Sequence, residues 1–205
     1  MKISTIDLHT DRHWWSATGL DQKRFEKLLA LLPIAYLHIY GQSIRQRQQD
    51  CPHEPTLNTD EDLLLFTLLS LKSRLSFDLP GFTTGMDGST AKRNQDTGLA
   101  LIKAALSQSG HLSKTHFDNA ERFKAYFTDK GSVLIDATGQ RTQRPTAKDY
   151  QQGMYSEKKA HTVKSLIVST ADRYIHYVSK AWQGKFHDYR QLKYHFHLIR
   201  GGFLR

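Results

Sequence analysis

The run Val133-Leu134-Ile135-Asp136-Ala137-Thr138-Gly139 reads as a short apolar strand that carries a carboxylate out to the rim of a sheet. Gln143-Arg144-Pro145 follows it, and Gly184-Lys185-Phe186-His187-Asp188 supplies a second acid much later in the chain. An acid on a strand, a basic stretch and a second acid together present two carboxylates to a divalent metal beside a polyanion. This order of residues points to phosphoryl-transfer chemistry on nucleic acid.

The charge balance agrees with a polyanionic partner. Among 205 residues, 29 Lys and Arg stand against 20 Asp and Glu, a net charge of +9. Such a surface attracts phosphate backbones or an anionic membrane face. Apolar residues make up 39% of the chain, enough to pack an ordinary domain plus a smaller one. Cys51 is the single cysteine, which excludes an internal disulfide and a cysteine-based zinc cluster, so the expected compartment is the cytoplasm. Met1-Lys2-Ile3-Ser4-Thr5-Ile6-Asp7 lacks a signal-peptide core, and no later run is apolar for long enough to span a bilayer. No membrane partner is expected.

The spacing of Phe25, Leu28, Leu29, Leu32, Tyr36, Ile39 and Tyr40 predicts a helix from about Asp21 to Gln48, kinked or divided at Pro33. Cys51-Pro52-His53-Glu54-Pro55 reads as a linker. Thr59-Asp60-Glu61-Asp62 then caps a helix that is apolar on most sides and runs to about Arg74. A short helix at Asp78-Leu79-Pro80-Gly81-Phe82, a turn at Gly85-Met86-Asp87-Gly88 and a helix from about Thr90 to Gln108 have the grammar of a helix-turn-helix. Its first exposed turn carries Lys92, Arg93, Asn94 and Gln95, side chains suited to phosphates and base edges, while Leu99, Ile102, Ala105 and Leu106 form its core face.

Beyond Gly110 the texture changes. A helix is expected at Asn119 to Phe127, a buried strand at Ser132 to Ala137, and two further strands at His161 to Thr170 and Tyr174 to Val178, joined by a hairpin turn at Thr170-Ala171-Asp172-Arg173. A last helix runs from about His187 to Leu198. His195-x-His197 has metal-ligand spacing but falls in that helical tail, which argues against a zinc site. The expected divisions are N-terminal helices at 1–52, a helix-turn-helix region at 53–115 and a third unit at 116–205.

Three elements in order carry a family resemblance: the Asp136-Ala137-Thr138 run with Arg144-Pro145 downstream, Tyr155-Ser156-Glu157-Lys158-Lys159 leading to His161-Thr162-Val163-Lys164, and Gly184-Lys185-Phe186-His187-Asp188. Together they resemble the catalytic region of bacterial insertion-sequence transposases of the DDE type, in the IS-five and harbinger-like group. The resemblance implies an α+β protein: an N-terminal helical bundle with a helix-turn-helix, followed by an incomplete RNase H-like α/β domain. It implies that Asp136 and Asp188 are the first two catalytic acids, that they converge, and that they hold Mg2+ or Mn2+, which hard oxygen ligands favour over zinc. Arg141, Arg144, Lys148, Lys158, Lys159, His161 and Lys164 would line a DNA channel, with Tyr150 and Tyr155 available for stacking. The implied partner is double-stranded DNA at transposon ends, the implied location the bacterial cytoplasm and nucleoid, and self-association a family expectation.

Two departures bear on activity. Gly139 and Glu157 replace an acid and a glycine of the family pattern, and no Asp or Glu follows Asp188, so the third catalytic acid is missing. The expectation is therefore a truncated or frame-shifted transposase, inactive alone. The alternative is a DNA-binding regulator of transposition without catalysis.

Overall fold

The computed structural model describes residues 4–51, 55–73, 75–156 and 159–196. The chain divides into two compact units, Met1–Leu112 and Ser113–Arg205. The first is helical and the second mixes helices with a sheet, so the fold is α+β as expected. Among the described residues, no helix is long and apolar enough to cross a membrane.

The first unit holds α1 (Asp11–Thr18), α2 (Gln22–Leu29), α3 (Leu32–Tyr40), α4 (Ile44–Gln49), α5 (Asp60–Ser73), α6 (Asp78–Thr84) and α7 (Gly88–Gln108). The single kinked helix expected over Asp21 to Gln48 is three helices instead. Pro33 sits in the first turn of α3, where its missing N–H costs nothing, and Gly41 ends α3 in the left-handed conformation at φ 71°. Ser43 then starts α4 with a reciprocal cap to Gln46. The linker residues 52–54 and Arg74 lie outside the described residues.

α5 is the centre of this bundle, and its sequence explains why. Leu63 and Phe66 enter one buried cluster with Tyr36, Ala91 and Leu101, while Leu64 and Leu65 enter another with Trp14, Phe25 and Leu32. A helix that serves two clusters must be apolar on more than one side. Its start is set by the Thr59 hydroxyl, which accepts from the Asp62 amide at 3.0 Å. α7 packs against it so closely that a Cβ on Gly98 would stand 1.9 Å from the Thr67 hydroxyl oxygen. The face of α7 turned to the core is Ala91, Gly98, Leu101 and Ala105, whereas Leu99 is exposed. The buried face is thus shifted by about one residue from the expected one, with Ala105 common to both, because the small residues, which permit close approach, decide which side meets α5.

α6 and α7 are joined by a tight turn. Gly85 ends α6 at φ 80°, and Asp87 caps α7 by accepting from the Ser89 and Thr90 amides, both at 2.9 Å. The Ser89 and Thr90 hydroxyls, which also donate to it, hold the Asp87 carboxyl far below the usual carboxylate range, and these amides lower it further. A Cβ on Gly81 would lie 2.7 Å from the Met86 carbonyl oxygen, so glycine is required where the turn folds back on α6.

The second unit contains α8 (Ala120–Phe127), β1 (Val133–Arg141), α9 (Lys148–Met154), β2 (Tyr155–Ser156), β3 (Ala160–Thr170), β4 (Ile175–Val178), β5 (Trp182–Gln183) and α10 (Asp188–Phe196). β3 is the axis of the sheet: β1 runs antiparallel along one edge, and β2, β5 and β4 pair with successive parts of the other. The hairpin expected between β3 and β4 is present, with Arg173 at φ 69° in its turn. α9, β2 and β5 are additions that the sequence reading did not anticipate. One face of the sheet, with Ile135, Ala137, Leu166, Val168 and Tyr177, packs on Phe123 and Phe127 of α8 and Leu192 of α10. Burial pushes the Tyr177 hydroxyl up to about 12.

Candidate active site

β1 is longer than expected. It pairs with β3 through Arg141↔Thr162, which places Asp136 within the strand, opposite Ile167, and not at its end. Long cross-strand pairing draws the polar residues after Ala137 into the sheet, overriding their local preference for a turn. Along β1, Val133, Ile135 and Ala137 are half-buried and belong to the core face, so Asp136, between them, stands on the exposed face. Its Oδ1 accepts from the Ala137 amide at 2.8 Å.

Asp188 is presented differently. It opens the first turn of α10, where its negative charge complements the helix dipole. Two features place it. Gly184 donates its amide to Thr162 O at 2.9 Å, and a Cβ there would fall 2.0 Å from the Thr162 hydroxyl oxygen and 2.6 Å from its carbonyl oxygen. Only glycine permits that approach. Lys164 then donates from Nζ to Asp188 Oδ1 at 2.9 Å and to the Phe186 carbonyl at 3.3 Å. His187 acts at the start of α10, its Nδ1 accepting from the Tyr189 amide at 3.2 Å.

The strand register relates the two acids. In the pairing of β1 with β3, Ala137 faces Leu166 and Gly139 faces Lys164, so Lys164 leaves β3 on the core side, as Leu166 and Val168 do. Asp136 and Ile167 occupy the other side. The structure therefore does not bring the two carboxylates together: Asp188 is joined to a lysine of one face and Asp136 projects from the opposite one.

A divalent metal does not fit this arrangement. The Asp188 carboxylate already has an ammonium at ion-pair distance, and among the described residues no group of three or more His, Cys, Asp or Glu side chains gathers around a common point. The partner-less buried oxygens near this element, Gln191 Oε1 and Thr162 Oγ1, are neutral. His195 lies in α10, and His197 lies outside the described residues.

The expected nucleic-acid contacts separate into accessible and committed side chains. In the second unit Arg141, Arg144, Lys148 and Lys159 are exposed, and His161 is half-buried. Lys158 falls outside the described residues. Lys164 is a correction: its side chain is only 22% exposed and is spent on Asp188 and Phe186, so it is not offered to phosphate. In the first unit Lys92 and Arg93 are exposed, Lys92 pairing with Asp96 at 2.7 Å and Arg93 donating to the Thr90 hydroxyl at 2.9 Å. Asn94 and Gln95 correct the expectation in the same way. They lie three and four residues after the buried Ala91, on the inward side of α7, where Asn94 donates to Met86 Sδ at 3.1 Å and Gln95 accepts from the Ser70 hydroxyl at 3.1 Å.

Gln151 was missed by sequence reasoning. It binds the Arg144 guanidinium and the Pro145 carbonyl, and no local signal marks it, because its role depends on α9 folding back over the Arg144-Pro145 segment.

No curated protein and no solved structure matches the chain. The family model described as DDE superfamily endonuclease matches residues 135–198, a span that contains both Asp136 and Asp188. That match supports a DDE-type transposase or endonuclease family for this part of the chain.

Proposed function

We propose that the chain is a DNA-binding protein of the DDE transposase class, from the IS-five and harbinger-like group, that engages duplex DNA at transposon ends and does not cleave it alone. The observation that carries this reading is the family match over 135–198, with both acids of the sequence motif inside it. A net charge of +9 supports a polyanionic partner. The α5–α6–α7 order, with its tight glycine turn and the exposed Lys92 and Arg93, supports a helix-turn-helix that contacts the phosphate backbone. The antiparallel β1, β3 and β4, flanked by α8 and α10, support a partial RNase H-like domain. Arg141, Arg144 and Lys159 extend the basic surface of that domain, and pairing of two DNA ends would call for a homo-oligomer.

A regulator of transposition without catalysis is the second reading, and one observation favours it: Lys164 neutralises Asp188 while Asp136 leaves the opposite face of the sheet. The divalent metal on which the class depends belongs to the catalytic reading alone.

Two measurements test the proposal. Fluorescence anisotropy should show tighter binding to a duplex carrying the inverted repeats that flank the gene than to a scrambled duplex, since phosphate contacts alone give no sequence preference. A supercoiled-plasmid assay with magnesium or manganese should show no nicking. Nicking that disappears in Asp136→Ala would overturn the inactive reading, and equal affinity for both duplexes would remove the transposon-end assignment.

A further inference from the structure

A groove of about 480 Å³ in the second unit is lined by Arg144, Gln151, Gln152, Tyr155 and His161, and neither Asp136 nor Asp188 is among its lining residues. Among the described residues its lining contains a cation, two amides and two aromatic rings, and no carboxylate. One wall is a fixed arginine. Gln151 Oε1 accepts from Arg144 Nε at 3.1 Å and from Nη2 at 3.0 Å, and Gln151 Nε2 donates to the Pro145 carbonyl at 2.8 Å. A guanidinium held by a neutral amide is oriented without losing its charge. Among the described residues no carboxylate pairs with Arg144. Its remaining donors suit a phosphate.

The other wall is a fixed aromatic. Tyr155 of β2 is paired directly with His161 of β3, and the two rings meet edge to face with centroids 5.5 Å apart. The tyrosine ring is 50% exposed, so it is braced on one side and open on the other. An open, braced ring is a stacking platform that accepts any base, because every base has a π-face.

A phosphate-binding fork and a stacking ring in one groove match a nucleotide. A base inside a duplex has both faces covered by its neighbours and cannot lie on Tyr155 without leaving the stack. We infer that this groove is a subsite for one unpaired nucleotide of a DNA strand, its phosphate at Arg144 and its base against Tyr155, with the Gln152 amide at the base edge. The inference rests on the DNA-binding reading above and adds to it a preference for ends or gaps that expose a single-stranded base.

The test uses the full chain and two probes, a blunt duplex and the same duplex with a short single-stranded tail containing 2-aminopurine. The tailed duplex should bind about tenfold more tightly, the scale of one base–aromatic stack, and the 2-aminopurine fluorescence should fall as the base stacks. Tyr155→Ala should abolish the advantage of the tailed over the blunt duplex and the quenching. Tyr155→Phe should retain both, and Arg144→Gln should reduce the advantage. Circular dichroism reports whether each variant is folded, and Arg144→Gln and Tyr155→Phe decide the matter should Tyr155→Ala unfold. Equal affinity for tailed and blunt duplexes overturns the subsite and leaves DNA binding standing. Quenching that survives in folded Tyr155→Ala also overturns it, and failure to bind either probe overturns both readings.

Discussion

Lys164 Nζ stands 2.9 Å from Asp188 Oδ1, and this pair ties the central strand β3 to the first turn of α10. The lysine is largely covered and the aspartate about half exposed, so water screens the attraction and its net contribution is roughly 1 kcal/mol. A double-mutant cycle of Lys164→Met and Asp188→Asn, followed by urea unfolding, should give a coupling energy of about that size. The same pairing leaves little for a divalent ion to bind. Millimolar magnesium should leave the Tm of the wild-type chain within about 1 °C of its metal-free value, because a ligand without affinity for the native state shifts nothing. A rise of several degrees would show that the acids assemble a site in solution.

His176 provides a pH dependence. It is buried in β4, its Nε2 at 3.1 Å from the Thr170 hydroxyl and its Nδ1 at 3.3 Å from the Tyr126 hydroxyl, with Phe127 and Tyr174 against the ring. Burial holds its pKa below the ordinary 6.5, the charge of Lys130 lowers it further, and Asp172 acts in the opposite sense. The folded chain therefore favours the neutral ring, and the unfolded chain takes up a proton first as pH falls. The stabilisation is complete above about pH 6.5 and declines as pH drops from there through the folded-state value. Urea midpoints measured between pH 7.5 and 5 should fall for the wild type, with a smaller slope in His176→Gln. Parallel slopes would rule the histidine out as the source.

Gly184→Ala should destabilise the second unit by about 1–3 kcal/mol, the range for inserting a methyl group into a filled space. The new Cβ would meet backbone as well as side chain, the Thr162 carbonyl at 2.6 Å and the Met154 carbonyl at 2.9 Å, and backbone does not move aside cheaply. Thermal unfolding of the variant reads the loss directly. An unchanged Tm would mean that the Gly184 to Asp188 segment is not held against β3.

Replacing Lys92 and Arg93 together with glutamine should lower duplex affinity about equally for cognate and scrambled sequences. If both side chains contact phosphate, the slope of log affinity against log salt should decrease by about 2 in magnitude. Asn94→Ala should leave that slope unchanged, because the Asn94 amide is turned to Met86 within the bundle. Anisotropy titrations at four or five salt concentrations measure both. A salt slope that survives the double substitution would place the phosphate contacts elsewhere on the chain.

The sequence alone determined the elements whose signals are local. The apolar run of α5 with the Thr59 cap before it, the alternation along β3 and the turn at Thr170 to Arg173 each state their own conformation, because caps, periodicity and turn chemistry act over a few residues. The motif order around Asp136 and Asp188 was legible too, and the family match covers both.

Tertiary structure decided what those residues face. Whether β1 stops after Ala137 or continues to Arg141 depends on β3 being present beside it, and whether Asn94 is exposed depends on where Gly98 lets α7 meet α5. Lys164 carries the same charge in the sequence as Lys159, yet one is largely covered and closes on Asp188 and the other remains at the surface. An alternating strand gives each residue two possible sides, and only packing chooses the buried one, so the separation of Asp136 from Asp188 follows from which face of the sheet α8 and α10 cover.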